Sequence, residues 1–147
     1  MQQCLIVDDL PVIRRIARVI IEDFGFDVRE AEHGRQAFEL CTIAMPDIVL
    51  LDWRLPVMGA YEYLKALRTF GPRHWPYVIY CTTEFNFVDI QRARAAGAAD
   101  TLMKPFDRSM LKSKFERFTY LSAAQDGAGP AARGAMPPRS LGRLERT

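Results

Sequence analysis

The chain has 147 residues, 49% of them apolar and 26% charged, with a formal net charge of +2, the proportions of a globular protein with room for one ordinary domain. No apolar run approaches the ~20 residues that span a bilayer, and the N-terminal residues show no basic stretch ahead of an apolar one, so the expectation is a cytoplasmic protein with no membrane partner. The charge is uneven: from Ser122 onward Arg133, Arg139, Arg143 and Arg146 outweigh Asp126 and Glu145, whereas residues 1–121 balance 16 basic against 16 acidic side chains. With no clustered basic face, nucleic acid is not an expected partner.

Taken in order, the chain alternates between two periodicities. CLIV (4–7) is a short apolar run ending in Asp8-Asp9. PVIRRIARVIIEDFG then sets Val12, Ile16, Val19, Ile20 and Phe24 at helical spacings, opened by Pro11 and closed by Gly25. FDVREA alternates as a strand, and GRQAFELCTIA returns to helix with Ala37, Leu40, Cys41 and Ala44 on one side. DIVLL reads as a buried strand, YEYLKALRTF as a helix, YVIYC as a strand, FVDIQRARAAG as a helix, ADTLM as a strand and RSMLKSKFERF as the last helix.

Five strands alternating with five helices predict an α/β fold: a doubly wound parallel sheet with helices on both faces, because parallel crossovers need an intervening helix and apolar strands need cover on both sides. The domain is expected over residues 1–121. The remainder, 122–147, is rich in Ala, Gly, Pro and Arg and reads as a disordered tail, with a partner-induced helix near Leu141–Leu144 as a minor alternative. Cys4, Cys41 and Cys81 are far apart and flanked by apolar residues, which predicts buried reduced thiols. His33 and His74 fall in expected loops without metal-ligand company.

In such sheets the site lies beyond the carboxyl ends of the strands. Those ends carry Asp8 and Asp9, Asp52, Thr82 and Thr83, and Lys104. An unpaired carboxylate is costly to bury, so Asp52, ending an apolar strand, belongs at the rim. Three like charges brought together repel unless a cation neutralises them, and Mg2+ is the simplest hard dication that takes carboxylate oxygens and keeps open positions for phosphate. A carboxylate nucleophile beside such an ion, a lysine and a hydroxyl suits acyl-phosphate chemistry.

LIVDD, VLLDWRLP, YCTTE and LMKPFD occur in the order and at the strand ends found in receiver domains of two-component response regulators, which the chain resembles over roughly residues 2–120. The resemblance implies a flavodoxin-like sheet of order 2-1-3-4-5 and a cis bond between Lys104 and Pro105. It implies that Asp52 accepts a phosphoryl group from a sensor histidine kinase or a histidine phosphotransferase. Asp8, Asp9, Asp52 and the Trp53 carbonyl would hold Mg2+, Lys104 would contact the phosphoryl group, and Thr82 would donate to it. Arg54, Glu84 and Thr83 lie where the family tunes access of water to the acyl phosphate.

Two departures stand out. A Met-Asp-Gly step common after strand three is Met58-Gly59-Ala60 here, and the usual strand-five aromatic is Thr101, too small for the coupled threonine–aromatic switch. These support a rival reading, a degenerate receiver acting as a phosphate-independent interaction module. Either way the expected output is contact with a downstream protein, as a monomer or a phosphorylation-dependent homodimer, and the chain is not expected to be an enzyme. Phe85, Phe87 and Tyr120 are the candidate contact aromatics.

Overall fold

The computed structural model describes residues 1–128. Strands β1 (Gln3–Val7), β2 (Asp27–Ala31), β3 (Ile48–Asp52), β4 (Tyr77–Thr82) and β5 (Ala98–Met103) alternate with helices α1 (Pro11–Asp23), α2 (Gly34–Ile43), α3 (Ala60–Phe70), α4 (Phe87–Ala96) and α5 (Arg108–Ala128). All strand pairs are parallel and the order is β2-β1-β3-β4-β5. Because successive strand residues face opposite ways, each central strand supplies two cores. Leu5, Val7, Val49, Leu51, Val78 and Tyr80 pack toward α2, α3 and α4, while Cys4, Ile6, Ile48, Leu50, Ile79 and Cys81 pack toward α1 and α5. All three cysteines are free and buried.

The helix termini follow from local chemistry. Pro11 opens α1, where its missing N–H costs nothing, and Gly71 closes α3 in the left-handed region. The Asn86 side chain accepts from Asp89 N–H at the start of α4. His33, expected to be a solvated loop residue, instead caps α2: its Nδ1 accepts from the Gln36 N–H at 3.1 Å.

Two other expectations change. Of the α1 residues read as one apolar face, Val12, Ile16 and Val19 are exposed, and the buried positions are Ala17 and Ile21, with Ile20 and Phe24 partly covered. Helix α5 continues to Ala128, seven residues past the expected boundary at 121, and Ser122 on it is buried. The rest of the expected tail, including Leu141–Leu144, lies outside the described residues.

Candidate functional site

Asp8 leaves β1 at the carboxyl edge, between the neighbouring strands β2 and β3. Its backbone N–H bonds to Ala31 O at 3.1 Å, and its Oδ1 accepts from Leu10 N–H at 3.0 Å, a side-chain turn that carries the chain into α1. Arg14 donates to the Asp8 carbonyl at 2.7 Å and to Glu30 at 2.9 Å, tying the first turn of α1 to the end of β2. Asp9, next in the chain, is exposed. On the neighbouring strand Asp52 ends β3 and is buried, and the next peptide bonds back into the sheet through Trp53 N–H to Cys81 O at 3.0 Å. β5 delivers Lys104, whose backbone N–H bonds to Thr82 O at 2.7 Å and which precedes a cis peptide bond to Pro105.

These residues meet. Lys104 Nζ donates to Asp8 Oδ2 at 2.8 Å and to Asp52 Oδ1 at 3.2 Å, with all three side chains largely withdrawn from water. Asp8, Asp9 and Asp52 each offer a carboxylate oxygen within 4.8 Å of the others. Three negative charges against one positive leave the cluster two charges short of neutral at pH 7. The strain shows in Asp52, whose pKa is pushed up to about 6, first by burial and then by the charge of Asp8, against the pull of Lys104. Burial alone would lower the Lys104 pKa, but the hydrogen bond to Asp8 and the charges of Asp52 and Asp8 raise it, so the ammonium stays charged. A hard dication supplies the missing two charges, and an all-oxygen donor set suits it. The residues present therefore fit Mg2+.

The cluster opens into a cleft of about 250 Å3 whose walls include Leu10, Trp53, Arg54, Thr82 and Thr83. Across its mouth Arg54 and Glu84 pair at 4.0 Å, both well exposed. The Thr82 hydroxyl donates to Glu84 O at 3.0 Å and accepts from Glu84 N–H at 3.3 Å, so it is held within its own loop rather than on Asp52.

Both sequence departures have local structural counterparts. The Met58-Gly59 segment is clamped by Gly34, whose N–H bonds to Met58 O at 3.0 Å. A Cβ on Gly34 would lie 2.2 Å from that oxygen, so the loop can approach only because residue 34 is glycine. Just before it Val57 takes φ 67°, a strained conformation for a β-branched residue, with Met58 N–H bonded to Pro56 O at 2.7 Å. Thr101 stands in register with Tyr80, and partners on parallel strands share a sheet face. Here the aromatic at this place comes from β4: Tyr80 is buried, its ring set edge-on to Trp53 at a centroid distance of 4.5 Å.

Of the sequence-predicted site residues, Asp9, Asp52, Trp53, Arg54, Thr82, Thr83 and Lys104 line this cleft, Asp8 and Glu84 bond to residues that line it, and Thr101 lies within the sheet opposite Tyr80. Sequence reasoning missed Arg14 and Gly34, which position the site without entering it, and Tyr80, which only strand register exposes.

Fold and site together define a flavodoxin-like doubly wound domain with an acidic, lysine-bearing cleft at the carboxyl edge of its sheet. The chain belongs to the response regulator receiver domain family, whose model matches residues 4–116. It is 34% identical over 114 residues to the chemotaxis protein CheY1 of Helicobacter pylori, covering 76% of this chain and 92% of that protein. Identity to the chemotaxis protein CheY homolog of Campylobacter jejuni is 36% over 114 residues, 76% of this chain and 88% of the relative. Among solved structures, the chemotaxis response regulator CheY4 of Vibrio cholerae superposes with a TM-score of 0.75 at 31% identity, covering 80% of this chain and 98% of that one. The receiver domain of a sensor histidine kinase from Pseudomonas aeruginosa superposes with a TM-score of 0.72 at 28% identity, covering 80% and 96%, and has a magnesium ion coordinated in its active-site cleft. Receivers of this kind are signalling proteins rather than enzymes in the usual sense. Among the described residues, no helix is long and apolar enough to cross a membrane.

Proposed function

We propose that the chain is a phosphorelay response regulator in which Asp52 accepts a phosphoryl group from the phosphohistidine of a sensor histidine kinase or a histidine phosphotransferase. The observation that carries this reading is the placing of Lys104 Nζ between Asp8 and Asp52, with Asp9 completing the carboxylate set. Asp8, Asp9, Asp52 and the Trp53 carbonyl are the groups that would hold Mg2+. When bound, the ion supplies charge neutralisation for the phosphoryl oxygens.

Above pH 6 Asp52 is mostly ionised, as a nucleophile must be. Its oxygen attacks phosphorus while the phosphorus–nitrogen bond to the donor imidazole breaks, and the imidazole nitrogen keeps the bonding pair. Lys104 follows the charge from the carboxylate to the new acyl phosphate. Thr82 exchanges its bonds to Glu84 for a phosphoryl oxygen and so draws in the loop that leads to α4. The donor must bring its imidazole to the cleft. Leu10, Val12, Ile16 and Val19 leave an exposed apolar stripe running from the cleft along α1, which suits a docking face for it. Phe85, Phe87 and Val88, exposed where α4 begins, suit contact with the downstream protein.

The test is intact mass after incubation with Mg2+ and acetyl phosphate. A gain of one phosphate in the wild type and none in Asp52→Asn supports the reading. No gain in either refutes it in favour of a phosphate-independent interaction module.

A further inference from the structure

Helices α3 and α4 pack through Leu64, Leu67, Ala93 and Ala96, all buried. Above that contact they form a groove of about 310 Å3 that none of the phosphoacceptor residues enters. Its apolar lining is Leu64 and Ala96, both buried, and the exposed Ala95, and its rim carries Lys65, Arg68 and Arg92.

Glu62 and Asp89 stand one turn before Lys65 and Arg92 on their helices, but neither closes to an ion pair with the three cations. Lys65 Nζ lies 5.3 Å and Arg92 Cζ 4.8 Å from the centroid of the Tyr61 ring, so two positive groups from different helices share one aromatic. Arg68 reaches only a backbone carbonyl, Ala95 O at 3.4 Å. Among the described residues none of the three has a carboxylate within 4.0 Å, a state they share with Arg15, Arg29, Arg35, Arg73 and Arg94, and three such side chains line this one groove. Lys65 and Arg68 are neighbours one turn apart on α3, where like charges oppose folding rather than assist it. The Arg92–Tyr61 contact and the Arg68–Ala95 bond tie α3 to α4, yet neither neutralises the three charges.

We propose that the α3–α4 groove docks an acidic segment of a partner protein, with its carboxylates on Lys65, Arg68 and Arg92 and a small apolar side chain against the exposed Ala95. Charge complementarity selects an anion. The exposed Ala95 beside the cations leaves room for a small apolar side chain, which a peptide carries and a bare phosphate chain does not. A nucleic acid would need basic groups continued along its backbone, and here they are confined to one short groove. The proposal does not depend on phosphorylation of Asp52.

The test uses a fluorescein-labelled twelve-residue peptide of Asp, Glu and Ala, titrated with the full chain and followed by anisotropy. Binding is expected, weaker at 300 mM than at 50 mM NaCl, at least tenfold weaker for the double variant Lys65→Glu/Arg92→Glu, and unchanged for the exposed α2 control Arg35→Glu. Circular dichroism and the acetyl phosphate mass gain verify that the double variant is folded. On the wild type, amide chemical shifts perturbed by the peptide must map to α3 and α4, which tests the site even if the double variant fails to fold. Absence of binding, equal loss in the Arg35 control, or shifts elsewhere would overturn the proposal. So would a single-stranded oligonucleotide that binds tighter than the peptide and competes with it.

Discussion

Replacing Asp52 with asparagine removes one negative charge from a cluster that holds three against a single lysine, and keeps an oxygen for Lys104. The folded protein holds the Asp52 pKa at about 6, against an ordinary value of 3.8. A raised carboxyl pKa means that the protonated form is the one folding favours. Its contribution is fully present below about pH 3.8 and is lost as pH rises through about 6. At about 1.4 kcal/mol per pH unit, the ionised group costs the metal-free fold on the order of 3 kcal/mol at pH 7.5. Asp52→Asn is therefore more stable than wild type by up to about 3 kcal/mol at pH 7.5 in EDTA, with the difference shrinking toward zero near pH 4. Urea denaturation at the two pH values measures it. Mg2+ should also raise the wild-type midpoint more than that of the variant, because the ion relieves the same repulsion. A variant equal to or less stable than wild type at pH 7.5 without metal would refute the electrostatic account of the cleft.

Lys104→Met removes the one cation from between Asp8 and Asp52, and should destabilise the metal-free protein by about 3 kcal/mol at pH 7.5 and by less at pH 4, again by urea denaturation. Gly34→Ala puts a methyl group against Met58 O; a loss of about 2 kcal/mol or more in thermal unfolding, with slower phosphorylation by acetyl phosphate, is expected as the Met58 loop is displaced. Arg54→Ala and Glu84→Ala should each leave stability within about 0.5 kcal/mol, since the pair is exposed, yet change the lifetime of the acyl phosphate severalfold by opening the mouth of the cleft. Unchanged lifetimes in both variants would dispose of the gating role.

What the sequence disclosed, it disclosed where composition and position coincide. Asp8 and Asp52 each follow an apolar run, and a strand buried on both faces has only one place for a charge, its end; Lys104 follows an edge strand that carries Asp100 in its middle, and was legible from its place after the fifth strand. Helix α1 was less legible because it carries two apolar sets at helical spacing, Val12, Ile16 and Val19 beside Ala17, Ile20, Ile21 and Phe24, and periodicity does not say which of two stripes meets the sheet. The end of α5 was hidden for a different reason: Ser122, Ala123 and Ala124 lack large apolar groups, but alanine is the strongest helix former, and the buried Ser122 anchors the continuation. His33 reads as a loop residue rather than as the head of α2, since a ring nitrogen is a rare cap. The Gly34–Met58 approach and the Tyr80–Thr101 pairing are tertiary facts, and one sequence carries no local trace of either.

The bond from Lys104 to Asp8 closes a loop of 96 residues, and β5 takes its place in the sheet only through β4. A chain stalled on the ribosome before residue 104 owns all the acids and lacks the ammonium group that lets them coexist. On the reading that Asp52 is the phosphoacceptor, the cleft is complete only once β5 has joined the sheet beside β4, which makes closure of the fold a precondition for phosphorylation.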